Sequence, residues 1–428
     1  MVVIGLAFRL AVMGFIYPEH LKPDRDHWKF AGETGRIARS LAEGKGFSSP
    51  FFAETGPTTW VAPVFPLLLA ADFKVFGIYS KASALAILAL DCLFSALTSI
   101  PVFLIARNRF GDRAALWSGW VWVFFPYSIF FAADFIWPTT LSTLLFALLF
   151  LMVLNLEETS KLSYWIGFGA LAGFAALNDP IVMSAAPFLG AWCWYRRYRQ
   201  GARWFVPGVA AVLAVVAVSA PWFIRNYHAF GKFIPYRGNL GFELYCGNNP
   251  DSWHWDPPGY HPSDSDAEWK AYQQLGEVGY FAHRRDQAFA YIREHRSQYV
   301  TMALRRAVYI WTGFWSFGER YLKEEPFDIP NIFFSMGLTL IMLLGLRQAR
   351  REGEGWATPY LIVFLFFPLV YYFTHPEDYY RRPIDPLFVV LAVYGVISWR
   401  RRRQARQNVL RLSEDAALAE DASVVLDA

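Results

Sequence analysis

The chain has 428 residues, of which 55% are hydrophobic and 18% aromatic, with a formal net charge of +4 and a mean hydropathy of +0.23. This balance excludes an ordinary soluble enzyme and predicts an all-α polytopic membrane protein. It gives no ground for a nucleic-acid partner, and with Cys92 and Cys193 inside apolar runs and Cys246 alone outside them, no disulfide framework is available.

In chain order, apolar runs of roughly 16 to 25 residues, enough to cross a hydrocarbon core of ~30 Å as helices, recur from end to end. They fall near 2–17, 82–106, 114–131, 138–156, 164–177, 181–195, 204–224, 331–346, 358–373 and 386–399. That is about ten spans, or ten to twelve if "WVAPVFPLLLAADFKVFG" adds to the count. Its Pro63 and Pro66 suit a helix start or a re-entrant hairpin better than an independent span.

The first run lacks a small-residue cleavage site and is read as a retained signal-anchor. No basic stretch precedes it, as a slightly truncated start would leave it, and Arg9 is expected to snorkel toward the inner headgroups.

Short loops rich in Arg and Lys stay cytoplasmic. "RNRFGDR", "RRYRQGAR", "RQARRE" and "RRRRQAR" fall on one side if both termini are cytoplasmic, as in a bacterial-type inner membrane. Pro18 to Trp60, Arg225 to Pro330 and Thr374 to Asp385 then lie on the opposite, outer side. The expected organisation is a membrane region over 1–224 carrying the first outer loop (18–60), an extracytoplasmic segment over 225–330, further spans over 331–399 and a cytoplasmic tail over 400–428. The outer segment holds an irregular stretch, "GNNPDSWHWDPPGYHPSDSD", then aromatic-rich helical patterning suited to helices lying on the membrane surface. From Ser413 to Ala428 the chain is acidic and expected to be disordered.

The chemistry concentrates outside. Asp24 and Asp26 form a D-x-D, and Glu33 heads a predicted helix, "ETGRIARSLAEG". Carboxylates at this place can bind a divalent ion or act as a general base toward a hydroxyl; the plainer role for Glu33 is a favourable interaction with the helix dipole. Asp91 lies inside a span and Asp134 at the outer end of another, where acids are functional candidates. Asn178, Asp179 and Pro180 read as an outer turn. Asn248 and Asn249 also read as a turn, although they, with Trp253 or Trp255, have the chemistry for sugar recognition. His254, His261 and His283 do not have metal-ligand spacing, so no zinc site is expected.

Four further stretches carry a resemblance: "ARSLAEGKGF" after the acidic loop, "APVFPLLL", then "APWFIRNYHAFGKFIPYRGNLGFELYCGNNP", and late in the chain "YYRRPIDPLFVVLA". In this order, on one topology, they resemble the GT-C superfamily of integral-membrane glycosyltransferases, in particular bacterial relatives of protein O-mannosyltransferases and aminoarabinose transferases. The resemblance implies transfer of a sugar, with inversion, from a polyprenyl-phosphate donor to an acceptor hydroxyl deprotonated by a carboxylate of the first outer loop. The adjacent Asp-Glu of the family pattern is missing here, Phe30 and Ala31 standing near its place. The base is then Asp26 or Glu33, ahead of Asp24.

A leaving phosphate calls for positive charge that does not titrate. Arg225 in "WFIRN" is the first candidate, its plainer role being an interfacial anchor; Arg237, Arg381 and Arg382 follow. Asp134 is a candidate on the acceptor side. By analogy with the mannosyltransferase relatives no cofactor is expected, a divalent cation on the D-x-D being the alternative. The expected partners are the polyprenyl-phosphate sugar and membrane lipids; protein, lipid and glycan acceptors stay open. The alternative function is a lipid or polysaccharide transporter or flippase, which would place charges near the bilayer midplane, and a catalytically silent scaffold is the third.

Overall fold

A computed structural model of the chain describes all residues except 21–29, 254–258, 314, 316, 320–321, 323–327, 378 and 427–428, and within helices omits the side chains of 16–20, 328, 354, 410 and 412–426. Among the described residues the regular structure is helical. By length and apolar composition six stretches can cross a membrane: Lys81–Phe110, Thr139–Leu156, Phe205–Phe230, Ile329–Glu352, Gly355–Phe373 and Arg382–Val409. The chain is a multi-pass membrane protein.

The first helix, α1 (Val2–His20), is followed by α2 (Gly32–Ala42) and α3 (Val64–Phe76). α4 (Lys81–Leu97) and α5 (Ser99–Phe110) form one continuous rod. α6 (Asp112–Val123) and α7 (Pro126–Ala133) meet at a 41° bend and count together as a seventh crossing. Then come α8 (Thr139–Leu156), α9 (Leu162–Asn178), α10 (Ala186–Arg199) and α11 (Phe205–Phe230). The run expected over 181–195 divides into a 3-10 turn, Pro180–Ser184, and α10, whose last turn is already arginine-rich. Leu162–Asn178 is apolar but shorter than the six. Pro126 and Pro180 interrupt two of the apolar runs, at the bend between α6 and α7 and at the turn before α10.

The bend at Pro126 explains Arg9. Proline has no N–H to offer the Trp122 carbonyl one turn back, so the regular helical bond is lost there and Trp122 O accepts from the Phe125 N–H at 3.2 Å instead, with acceptor capacity to spare. Arg9, wholly buried, supplies the donors: Nη1 to Val123 O at 3.0 Å and Gly5 O at 3.1 Å, Nη2 to Trp122 O at 3.2 Å and Ser128 Oγ at 2.7 Å, and Nε to Ser95 Oγ at 2.7 Å. The expectation that Arg9 snorkels to headgroups is corrected: it is a hub tying α1, α4, α6 and α7.

α9 and α11 cross where Gly169 and Gly173 let the backbones meet. A Cβ at Gly169 would lie 2.0 Å from Ala211 O, and one at Gly173 would lie 3.0 Å from Val215 O. Small residues four apart permit this approach between helices in lipid.

After α11 come α12 (Leu240–Gly247), α13 (Asp266–Glu294, kinked at Gly276) and α14 (Arg296–Thr312). The chain then re-enters the bundle through α15 (Asp328–Glu352), α16 (Glu354–Phe366), α17 (Leu369–Phe373) and α18 (Asp385–Leu426). α18 runs on through the acidic end where the sequence predicts disorder; its Ala, Leu and Glu are strong helix formers. The basic loops gather at one end of the bundle, where Arg109 meets Glu157 at 2.8 Å and Glu157 also accepts from Trp192 at 2.8 Å. The long loops and α2, α12 and α13 lie at the other. There a buried aromatic cluster of Phe51, Trp60, Phe242, Tyr272, Tyr280 and Phe281 packs the first loop against α12 and α13.

Candidate active site

The long-loop end encloses a cavity of about 1190 Å³, lined by residues of every long loop, among them Glu33, Trp60, Trp137, Asp179, Arg237, Glu243, His261 and His375. Glu33 is set there by local backbone geometry. Phe30 is buried against Tyr79 (ring centroids 5.1 Å) and Phe73 (5.8 Å). Ala31 and Gly32 then both take positive φ, 67° and 48°, a conformation costly for alanine. The turn starts α2 with Glu33 in its first turn, and Gly32 leaves room beside Trp137, whose ring would lie 3.6 Å from a Cβ at that position.

A loop far along the chain closes over α2 at two points. His261 Nε2 meets Glu33 Oε1 at 2.6 Å, and Arg36 donates to Ser263 Oγ at 2.9 Å. Ser263 N–H donates to His261 Nδ1 at 3.2 Å, so the ring nitrogen facing Glu33 carries the proton. The imidazole is packed against Phe51 and Trp60, each 5.4 Å away. Burial pushes the Glu33 carboxyl up, but His261, the backbone N–H and Arg36 outweigh it and hold it below the usual carboxylate range.

A second polar pole lies across the cavity. Glu243, in the first turn of α12, accepts from His375 Nε2 at 2.7 Å, Arg237 Nη2 at 2.9 Å and Asn239 Nδ2 at 2.6 Å. Arg237 Nε also donates to Asn239 Oδ1 at 2.7 Å, which locks the guanidinium and leaves Nη1 without a partner among the described residues. Burial opposes charge here too, yet Glu243 and Asp179 keep Arg237 raised, and His375 and Arg237 keep Glu243 lowered.

The other residues singled out in the sequence are placed as follows. Asp24 and Asp26 lie outside the described residues. Arg225 is not on the cavity: it donates to Thr58 O at 2.8 Å and Phe47 O at 2.6 Å, fastens the first loop to α11, and lines a separate open hollow of about 600 Å³. Arg381 and Arg382 are buried on Asp385, at 3.0 and 3.2 Å, with Arg382 over the Tyr127 ring at 3.3 Å. Asp134 is buried at the end of α7 and is absent from the cavity wall, which its neighbours Trp137, Pro138 and Thr139 line. Asn248 Nδ2 is taken by Leu244 O and Phe373 O, both at 2.8 Å, and Asn249 caps the turn at Asp251 N, 2.8 Å. Of the four arginines considered for a phosphate, Arg237 is the one that lines the cavity with Glu33. Among the described residues no group of three or more His, Cys, Asp or Glu is placed to hold a metal ion.

Residues 60–223 match the family model for dolichyl-phosphate-mannose-protein mannosyltransferases. The apo oligosaccharyltransferase of Archaeoglobus fulgidus superposes with a TM-score of 0.53 at 13% identity, over 96% of this chain and 52% of that one. The chain has the GT-C glycosyltransferase fold. Other GT-C structures align more loosely: ArnT from Cupriavidus metallidurans bound to undecaprenyl phosphate (TM-score 0.41, 14% identity, 92% of this chain and 77% of that one), and AglB from Archaeoglobus fulgidus with an inhibitory peptide and a dolichol-phosphate (0.44, 13%, 95% and 52%). The chain thus spans about half the length of the archaeal proteins. No curated protein matches it.

The match to the mannosyltransferase family model begins at Trp60, after the loop that carries Glu33. Sequence reasoning set His261 aside for lacking metal spacing and gave no role to Glu243 or His375. The usable signal was that each is a titratable residue in a segment assigned to the same side as Glu33.

Proposed function

We propose that this chain is a membrane glycosyltransferase that moves a sugar from a polyprenyl-phosphate donor to an acceptor hydroxyl, with inversion, at the extracytoplasmic face of a bacterial-type inner membrane. One observation carries the reading: the Glu33 carboxylate, paired with His261, shares a cavity with the locked guanidinium of Arg237. The family match supports a lipid-phosphate-linked sugar as donor.

In the proposed step the acceptor oxygen forms a bond to the anomeric carbon from the face opposite the phosphate. The carbon–oxygen bond to the phosphate breaks, its electron pair leaving with the phosphate. The hydroxyl proton passes to Glu33 Oε2. A carboxylate held below its ordinary range is a weak base toward a resting hydroxyl, so transfer comes late, once bonding to the anomeric carbon has made that hydroxyl acidic. Arg237 Nη1 is available for the charge growing on the leaving phosphate, which strengthens a contact already present in the ground state.

Purified protein given a labelled undecaprenyl-phosphate sugar should form a glycosidic product. Movement of label across proteoliposomes without product would favour the flippase alternative, and turnover of a nucleotide sugar with no lipid carrier present would refute the donor assignment.

A further inference from the structure

Between the two poles, the chain leaves α9 through Asn178 and Asp179 before the turn Pro180–Ser184. Both residues line the cavity. Asn178 is 3% exposed. Its Nδ2 donates to Ser142 Oγ at 2.9 Å and Pro138 O at 3.3 Å, which fixes the amide's orientation. Its Oδ1 is buried and has no hydrogen-bond partner. Asp179 receives only two long contacts, Ile181 N to Oδ1 at 3.3 Å and Ser142 Oγ to Oδ2 at 3.4 Å. An ionised carboxylate offers about four acceptor sites, so most of its capacity is unused. Ser142 thus joins the two side chains, accepting from Asn178 and donating to Asp179, and leaves most of the acceptor capacity of the half-buried Asp179 open at the cavity wall.

A half-buried carboxylate on a cavity wall with most of its acceptor sites unfilled is suited to a ligand that supplies the donors. We propose that Asp179, positioned by Asn178 through Ser142, reads a hydroxyl or amino group on the sugar of the lipid-linked donor. This rests on the glycosyl-transfer reading above. The choice of the donor's sugar over the acceptor molecule comes from Arg237, whose charge acts on Asp179: a phosphate at Arg237 places the sugar attached to it beside these residues. A carboxylate there favours sugars bearing a donor group, and disfavours a deoxy position or a sugar carboxylate.

The test measures binding to the full chain in nanodiscs of undecaprenyl phosphate alone and of undecaprenyl-phosphate-linked mannose, glucose and 4-amino-4-deoxyarabinose. Asp179→Asn should weaken the best-bound sugar-linked lipid about ten- to a hundredfold, as loss of a hydrogen bond to a buried charge does. Undecaprenyl phosphate alone should bind it within about twofold of the unaltered chain. Asparagine is itself a good capping residue, so the turn is kept; Asp179→Ser, which also retains a capping oxygen, gives a second variant if the first does not fold. Unchanged binding of every sugar-linked lipid, or an equal loss for undecaprenyl phosphate alone, would overturn the proposal while leaving the donor reading standing. If the unaltered chain binds none of these lipids, the donor reading fails and this inference falls with it.

Discussion

Glu33 Oε1 and His261 Nε2 lie 2.6 Å apart, joining the first turn of α2 to a loop beyond α12. The contact holds the carboxylate at the wall of the cavity. Glu33→Gln should therefore lower turnover by about 10² to 10⁴, the usual worth of a general base, with lipid binding nearly intact. His261→Gln, acting through Glu33, should cost about tenfold in kcat, with Glu33 still required. If Glu33→Gln turns over normally and Asp26→Asn does not, the base is Asp26.

Arg237 and Arg225 should separate in their effects. Arg237→Ala should weaken undecaprenyl phosphate binding about tenfold or more, because a charged hydrogen bond to the phosphate is lost. Arg225→Ala removes the donors held by Thr58 O and Phe47 O and should lower stability by about 2 kcal/mol, seen as a fall in Tm. Equal lipid affinity for Arg237→Ala and the unaltered chain would remove the phosphate role.

His375 should make stability depend on pH. Burial pulls its imidazole down, but Glu243 at Nε2 and Glu377 near Nδ1 push it up further, against Arg306, so its folded value is raised. A raised histidine contributes its full stability below its unfolded value, about pH 6.5, and loses it as pH climbs through the folded value. Tm of the unaltered chain should fall on going from near pH 6.5 into the alkaline range, and His375→Gln should flatten that part of the curve. Glu243 is lowered and works in the opposite sense, its contribution being lost only as pH falls through its folded value.

Gly247→Ala should be strongly destabilising. A Cβ there would lie 1.8 Å from Thr374 O and 2.6 Å from its carbonyl carbon, so the backbone carrying His375 must move away from α12. A loss of about 3 kcal/mol or more, with Tm and turnover falling together, is the expected result.

Membrane sidedness can be read with single cysteines after Cys246→Ser, since Cys92 and Cys193 are buried. Glu54→Cys should react with an impermeant maleimide from outside intact cells, and Arg401→Cys should not. Both positions are exposed in the structure. The reverse pattern would invert the topology.

A chelator separates the two readings of the acidic first loop. With Glu33 as base, turnover should survive EDTA; a D-x-D holding a divalent ion would make activity return only on adding metal back.

The membrane class, the concentration of chemistry at one end, and Glu33 as a candidate were legible from sequence because each is a local property. Apolar run length, loop charge and the register of a helix start are properties of neighbouring residues. Tertiary structure decided which residues meet. Arg225, Arg237, Arg381 and Arg382 are equivalent as charges in outer segments, yet packing commits Arg225 to loop carbonyls and Arg381 and Arg382 to Asp385, and brings Arg237 to the cavity. Arg9 looks like an interfacial arginine until the bend at Pro126 turns the Trp122 and Val123 carbonyls toward it. His261 and His375 acquire roles through Glu33 and Glu243, partners distant in the chain. Pairings of this kind depend on helix crossings such as Gly169 on Ala211, where a steric fit between remote backbones sets the geometry and no local sequence pattern records the partner.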